Sequence, residues 1–418
     1  MTTSGPRPIG PDDIAASITL SAEAFGDLPA GFTPPAPETW PLPGRHSWGT
    51  FADDRLVARV MGREYHSWWH GRQVPTCGIA GVAVAAEHRG SGLLDALMAQ
   101  VLDEGLRERG EVLSTLYPTA PGIYRRYGYE VVTGLLEVEL ATARLSRVSP
   151  DPAVKLRRAT AADLDDVRRV YATWAAAHNG PLTRTGPSFP TEAAEVLSSF
   201  TAVTLAVTTE PVDGFAAGEV VGFASWHRGT GYDDSATITV DDLVSLHSGA
   251  TRSLWAMLGS HASVTGRVRL GTSGDDPVRL ALPFAEWTVT KQVPYMLRVH
   301  DVAGALSGLR LGPLDARVEL VVEGDLLGTA NGRWLLTTAD GVSTCVPAGP
   351  AGPAGPGTPD APDAPAPVLA PRGLALLVSG AQPCAAVRAA GLMRGDTASD
   401  ATLDTLFGAR RVHVRDYF

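Results

Sequence analysis

The segment Gly81-Val82-Ala83-Val84-Ala85-Ala86-Glu87-His88-Arg89-Gly90-Ser91-Gly92-Leu93-Leu94 holds the residue types that can grip an anion. An apolar run with the pattern of a strand passes into a basic, glycine-rich turn, and the turn opens onto a helix over about 91–109. Backbone N–H groups at a helix start lack intrahelical acceptors and sit at the positive end of the helix dipole, so they suit a pyrophosphate. Gly90 and Gly92 let the backbone approach such a group closely, and Arg89 adds charge. The order is neither of the common phosphate loops: no Lys-Ser/Thr pair closes it, and the full G-x-G-x-x-G is absent.

The elements around this turn follow from apolar periodicity. Leu93, Leu94, Leu97, Met98, Val101 and Leu102 make one face of the helix. Strands are predicted at 56–61, 78–85 and 111–117, after a Pro- and Gly-rich loop at 26–46. Further along, strands at 205–208, 220–225 and 236–244 precede a helix at about 249–261. Alternation of strands and helices predicts α/β architecture. Two openings read alike. Arg7-Pro8-Ile9-Gly10-Pro11-Asp12-Asp13 and Arg157-Arg158-Ala159-Thr160-Ala161-Ala162-Asp163 each place Arg and Asp six apart, with the Asp third after a helix cap. Their recurrence after 150 residues points to a duplicated domain. In the second unit, His247-Ser248-Gly249-Ala250-Thr251-Arg252 has a single Gly where the first has its turn, so no second anion site is expected.

From about residue 298 the pattern changes. Strands are expected at 317–322 and 332–338 around the turn signal Ala330-Asn331-Gly332, and another at 374–378. The Ala/Pro/Gly stretch at 347–371 is too poor in large apolar residues to fold and is expected to be a disordered insertion in a third domain. The boundaries are set at 1–150, 151–298 and 299–418.

Composition narrows the partners. Over 418 residues, 45 Asp+Glu against 35 Lys+Arg leave a net charge of −10, which argues against nucleic-acid binding and is compatible with cationic small substrates. Cys77, Cys345 and Cys384 form no disulfide framework and no metal-ligand spacing, so no metal is expected. Neither a signal-peptide pattern nor a membrane-spanning apolar run is present, and a cytoplasmic location is expected.

The glycine-rich turn resembles the acetyl-CoA signature of the GNAT superfamily of N-acetyltransferases, R-x-x-G-x-G/A, with Arg89 and Gly92 in place and Leu94 departing from the final Gly or Ala. That departure, the segment Gly122-Ile123-Tyr124-Arg125-Arg126-Tyr127-Gly128-Tyr129 and the ending Asp416-Tyr417-Phe418 make the whole chain resemble the Eis (enhanced intracellular survival) family. The resemblance implies two tandem GNAT-like domains, the first catalytic and the second degenerate, then an α+β sterol-carrier-protein-like domain, assembled as a homo-hexamer. It implies acetyl-CoA as donor, held by Val82, Ala83, Val84, Arg89, Gly90, Gly92, Leu93 and Thr119. It also implies Tyr124 as the general acid for the leaving thiolate and the terminal carboxylate of Phe418 as general base. A phenol with pKa about 10 can serve as that acid at neutral pH, whereas a terminal carboxylate near 3.5 is by itself a weak base.

On the acceptor side, Phe25-Gly26-Asp27 matches the family's substrate position: Asp27 could attract an ammonium and Phe25 could stack on it. Trp40, Trp48, Trp68 and Trp69 are either pocket walls or core; His66, His70 and His88 read as surface or packing residues, and Asp53-Asp54 as a turn. The implied reaction is acetylation of amines on a small molecule such as an aminoglycoside. The alternatives are acetylation of protein Lys side chains, and an acyl-CoA- or lipid-binding protein without catalysis in which the third domain carries the function.

Overall fold

The computed structural model describes residues 4–27, 31–274, 276–283, 287–348 and 366–418. Most of the expected disordered insertion, 349–365, lies outside the described residues.

A single 12-stranded sheet carries both N-terminal units. In chain order its strands are β1 (Arg7–Pro8), β2 (Arg45–Ala52), β3 (Arg55–Trp69), β4 (Arg72–Val84), β5 (Leu113–Leu116), β6 (Glu130–Ala141), β7 (Val154–Arg158), β8 (Ala202–Thr208), β9 (Val220–Arg228), β10 (Thr237–Ser245), β11 (Arg267–Ser273) and β12 (Thr288–Val299). In space they run β1-β2-β3-β4-β5-β12-β6-β11-β10-β9-β8-β7. Read from either edge the order is the same: four antiparallel strands, a fifth parallel to the fourth, then a strand that follows the other unit in the chain. β12 thus lies beside β5, β6 lies beside β11, and the two pair with each other at the centre.

The duplicated openings are the same construction twice. Arg7 grips Asp13 through two hydrogen bonds of 2.7 and 2.9 Å, and Arg157 grips Asp163 through two of 2.8 and 2.7 Å. In each, the same carboxylate accepts the N–H of the capping residue, Gly10 or Thr160, at 2.8 Å. The side-chain pair therefore fixes the angle at which the first strand enters its helix. Asp53 and Asp54, at φ 47° and 66°, make the tight turn between β2 and β3.

Helix α1 (Ile14–Phe25) lies on this sheet, held by the half-buried Arg59 of β3, whose guanidinium donates to Ser17 Oγ at 2.5 Å and Ser21 Oγ at 2.8 Å. Helix α2 (Leu93–Arg109) buries Leu97, Met98, Val101 and Leu102 as its pattern requires. The C-terminal unit has a five-stranded sheet, β15-β14-β13-β16-β17, from β13 (Ala316–Val322), β14 (Gly332–Ala339), β15 (Val342–Pro347), β16 (Val368–Leu369) and β17 (Met393–Arg394). β13 and β14 are antiparallel neighbours, as expected, but joined by nine residues rather than a tight turn. The expected strand at 374–378 is instead the end of a helix, Pro371–Val378. Leu374, Leu376, Leu377 and Val378 are all buried, so the helix carries no polar stripe and its run reads like a fully buried strand. Proline at its first turn is the signal that distinguishes the two.

Candidate active site

β4 and β5 pair in parallel only from Thr76↔Leu113 to Ile79↔Leu116. Beyond that they diverge, because a bulge between Arg59 and Met61 of the β3–β4 pairing, with Gly81 at φ 55°, swings the end of β4 away. Ala83 and Val84 stay paired with β3 on one side, Val82 lies in the bulge, and this end of β4 borders the gap on the other. The gap leads to the glycine-rich turn. Gly90 and Gly92 have φ of 77° and 79°, conformations that L side chains rarely adopt, and a Cβ on either would meet nothing within 4 Å. Gly92 caps the 17-residue helix α2, Arg89 is exposed beside it, and Leu93 anchors the first turn in the core beneath. An open cradle of N–H groups with one exposed cation at its rim fits a pyrophosphate, and a gap between parted strands fits the extended arm of acetyl-CoA.

Thr119 is exposed at the exit from β5, followed by helix α3 (Pro121–Arg125) carrying Tyr124. The Tyr124 side chain is buried, and burial pushes its phenol up to about 12. Among the described residues no group hydrogen-bonds its hydroxyl, unlike Tyr127, bonded to Asp95, and Tyr129, bonded to Ser114. Tyr127 and Tyr129 are packing residues, both 0% exposed.

At the base of the gap stands Phe418. Its ring lies 5.0 Å from that of Tyr65 and 5.3 Å from that of Tyr117, and a Cβ on Gly78 would come within 2.8 Å of it. Glycine at 78 is what lets the chain end reach the sheet. On its other side Phe418 lines a cavity of about 770 Å³ with Tyr65, Trp68, Phe189, Asp241 and Asp416. The chain end is therefore the partition between the strand gap and the cavity.

The remaining sequence candidates lie elsewhere. Phe25 and Asp27 are exposed at the end of α1, and residues 28–30 lie outside the described residues. Trp40 donates through Nε1 to the Ile9 carbonyl at 2.8 Å and packs against the core cluster that holds Ile9, Leu20 and Phe51; Phe25, Asp27 and Trp40 do not line the cavity. Trp48 bonds Glu104 and Trp69 bonds Ser67; of the four tryptophans only Trp68 reaches the cavity. His70 is buried, with Nε2 2.6 Å from the Val378 carbonyl, while His66 and His88 are partly exposed. Tyr65, Tyr117 and Arg184 join the site only through the fold; of the three, Tyr117 alone has a positional signal, as the last residue of the strand predicted at 111–117.

The equivalent helix of the second unit, Ser248–Gly259, starts against protein. A Cβ on Gly249 would lie 2.7 Å from Asp151 Oδ2, and Arg252 pairs with that carboxylate. A fixed carboxylate stands where a phosphate would have to enter, which repels an anion.

A bulged strand parted from its parallel neighbour, a glycine-rich turn at a helix start and a tyrosine beside the gap define an N-acetyltransferase of the GNAT class. Family models for GNAT acetyltransferase domains match residues 6–132 and 190–299, and one for a sterol carrier protein domain matches residues 302–415. The chain is 31% identical over 290 residues to an uncharacterized N-acetyltransferase of Streptomyces avermitilis, covering 66% of this chain and 68% of the relative. It is 26% identical over 283 residues to N-acetyltransferase Eis of Mycobacterium tuberculosis, covering 66% of each. A GCN5-related N-acetyltransferase from Kribbella flavida superposes with TM-score 0.80 at 31% identity over 100% of this chain and 98% of that one. Eis1 of Mycobacterium abscessus shares the fold at TM-score 0.71 and 20% identity, over 99% and 100%. The chain belongs to the Eis-like family of GNAT N-acetyltransferases: two tandem GNAT domains followed by a sterol-carrier-protein domain. Acetyltransferases of this class use acetyl-CoA as donor. Among the described residues no helix is long and apolar enough to cross a membrane, and no cluster of His, Cys, Asp and Glu is arranged to hold a metal.

Replacing Arg89 by Ala is expected to raise the apparent KM for acetyl-CoA by an amount equivalent to about 1–3 kcal/mol, the worth of one charge-assisted contact. Calorimetry should find one acetyl-CoA per chain; two would contradict the blocked helix start of the second unit.

Proposed function

We propose that the chain transfers acetyl from acetyl-CoA directly to an amine of a cationic small molecule, an aminoglycoside being the acceptor that the family resemblance favours. The observation that carries this reading is the position of Phe418, with the strand gap on one side and the cavity on the other. When bound, acetyl-CoA supplies the acetyl group as a thioester. Val82, Ala83 and Val84 hold its arm along the β4 edge, and Arg89, Gly90, Gly92 and Leu93 seat its phosphates, with Thr119 on the opposite lip. The acceptor enters through the cavity, whose lining includes the carboxylates Glu137 and Asp241. The Phe418 carboxylate takes a proton from the attacking nitrogen, and Tyr124 gives one to the departing sulfur. Phe25, Asp27 and Trp40 stand, on this reading, on the acceptor side, as the family resemblance implies. The working protein is a cytoplasmic homo-hexamer, the location read from the sequence pattern and the assembly from the family resemblance.

The test is CoA release with acetyl-CoA and a panel of aminoglycosides, polyamines and Lys-bearing peptides; turnover confined to the peptides would replace the small-molecule reading by a protein-directed one, and none at all would favour a binding protein. Tyr124→Phe should lower kcat and leave acetyl-CoA binding near normal. Because burial raises the Tyr124 pKa to about 12, the acid stays protonated below that value, so wild-type kcat should not decline up to about pH 10. A fall in kcat centred near pH 8 or 9 would assign the proton donor elsewhere.

A further inference from the structure

The second unit keeps the parted strands that hold the donor in the first, but something else lies between them. β10 and β11 pair in parallel from Thr237↔Arg267 to Val240↔Leu270 and then separate at a bulge between Val240 and Asp242, matching the parting of β4 and β5. The gap is bridged by the chain's own C-terminal segment. Arg415 donates to the Leu243 carbonyl of β10 at 3.3 Å and to the Gly271 carbonyl of β11 at 3.1 Å, and it pairs with buried Asp276 at 2.8 Å. The next residue, Asp416, accepts from Arg184 Nε at 2.8 Å and from the Tyr171 hydroxyl at 3.3 Å. Arg184 uses its two terminal nitrogens on Asp242, at 2.6 and 2.9 Å, and is held at φ 56°. The Asp416 carbonyl then accepts from Tyr117 of the first unit at 2.7 Å, and Tyr417 and Phe418 stack on that same ring.

We propose that the strand gap of the second unit, the counterpart of the acetyl-CoA cleft, serves as a socket for the dipeptide Arg415-Asp416, and that Arg184, Asp242 and Asp276 are positioning residues that fix where Phe418 stands. The charges make the socket register-specific. Arg415 faces an anion and Asp416 faces a cation, so a slip of one residue would bury like charges together, which costs far more than the pairing gains. Two independently anchored residues immediately before a three-ring stack leave the terminal residue little freedom. The inference rests on the reading of Phe418 as the base, and it assigns the second GNAT unit a task in the reaction without a second donor site.

Asp416→Asn tests it in the full chain. The substitution keeps the shape of the side chain and leaves Arg184 neutralised by Asp242. Displacing a reacting group by about 1 Å can cost on the order of 100-fold, so kcat is expected to drop about ten-fold or more while the acetyl-CoA KM stays within about two-fold. The same substitution in a protein extended past Phe418 should cost nothing further, because both changes act through the terminus. Arg184→Lys, which keeps the charge but not the two-sided geometry, should be impaired in kcat as well, and it decides the matter if Asp416→Asn lowers the melting temperature strongly. Unchanged kcat in both variants, with the extended protein impaired, overturns the socket while sparing the base. So does a loss that multiplies with that of the extension. An extended protein with normal turnover removes the base assignment itself.

Discussion

Protein carrying a short Gly-Ser tail after Phe418 is expected to turn over roughly 10²–10⁴-fold more slowly, the range that general-base catalysis supplies. An alkylamine near pKa 10 is mostly protonated at pH 7, so the attack needs a nearby acceptor for its proton. The tail moves the carboxylate away from Phe418 while the ring keeps its place against Tyr65 and Tyr117. Acetyl-CoA affinity should change little, since Arg89, Gly90 and Gly92 lie at the far end of the strand gap. If Asp416-Tyr417-Phe418 were only a packed end, the extension would be harmless or would lower melting temperature and activity together. Turnover, acetyl-CoA binding and melting temperature measured side by side separate the two, and undiminished turnover would falsify the terminal-carboxylate role.

Arg298→Ala is expected to destabilise the fold by about 3–5 kcal/mol, the cost of leaving a buried charge without its partner. Arg298, next to last in β12, forms a two-pronged pair with Asp325 at 2.8 and 2.9 Å, neither side chain exposed at all. The same guanidinium donates to the Tyr127 carbonyl, to His300 Nδ1 at 3.0 Å and to Thr329 at 3.1 Å, so one residue ties the active-site loop to the C-terminal unit. Urea unfolding should show the loss. Replacing both partners together, Arg298→Met with Asp325→Leu, should cost less than the single change, because no orphaned carboxylate remains. A single variant as stable as wild type would contradict the assignment.

What could be read from the chain was local. The Arg and Asp six apart announced both openings because the spacing alone brings a guanidinium back onto a cap. The glycine-rich turn was legible because positive φ demands glycine at 90 and 92. The exchange of β6 and β12 was not legible, since a strand's pattern records which face is buried and not which neighbour it pairs with. Arg184 was equally silent: a lone Arg in a Thr-flanked loop looks solvated until the fold brings Asp242 and Asp416 to it. Residues 374–378 failed for a different reason, because complete burial erases the period that separates helix from strand.

The reciprocal strands impose a timetable on synthesis. β5 ends at Leu116, yet the strand that must lie beside it begins at Thr288. At about 5–20 residues per second, the ribosome takes on the order of ten to thirty seconds to deliver it. Through that interval the nascent first unit has the glycine-rich turn and Tyr124 but an open sheet edge at β5, a surface that recruits stray strands. Chaperone occupancy on ribosome-bound chains should accordingly persist until β12 has emerged, and the first unit expressed alone should aggregate unless a peptide spanning 288–299 is supplied with it.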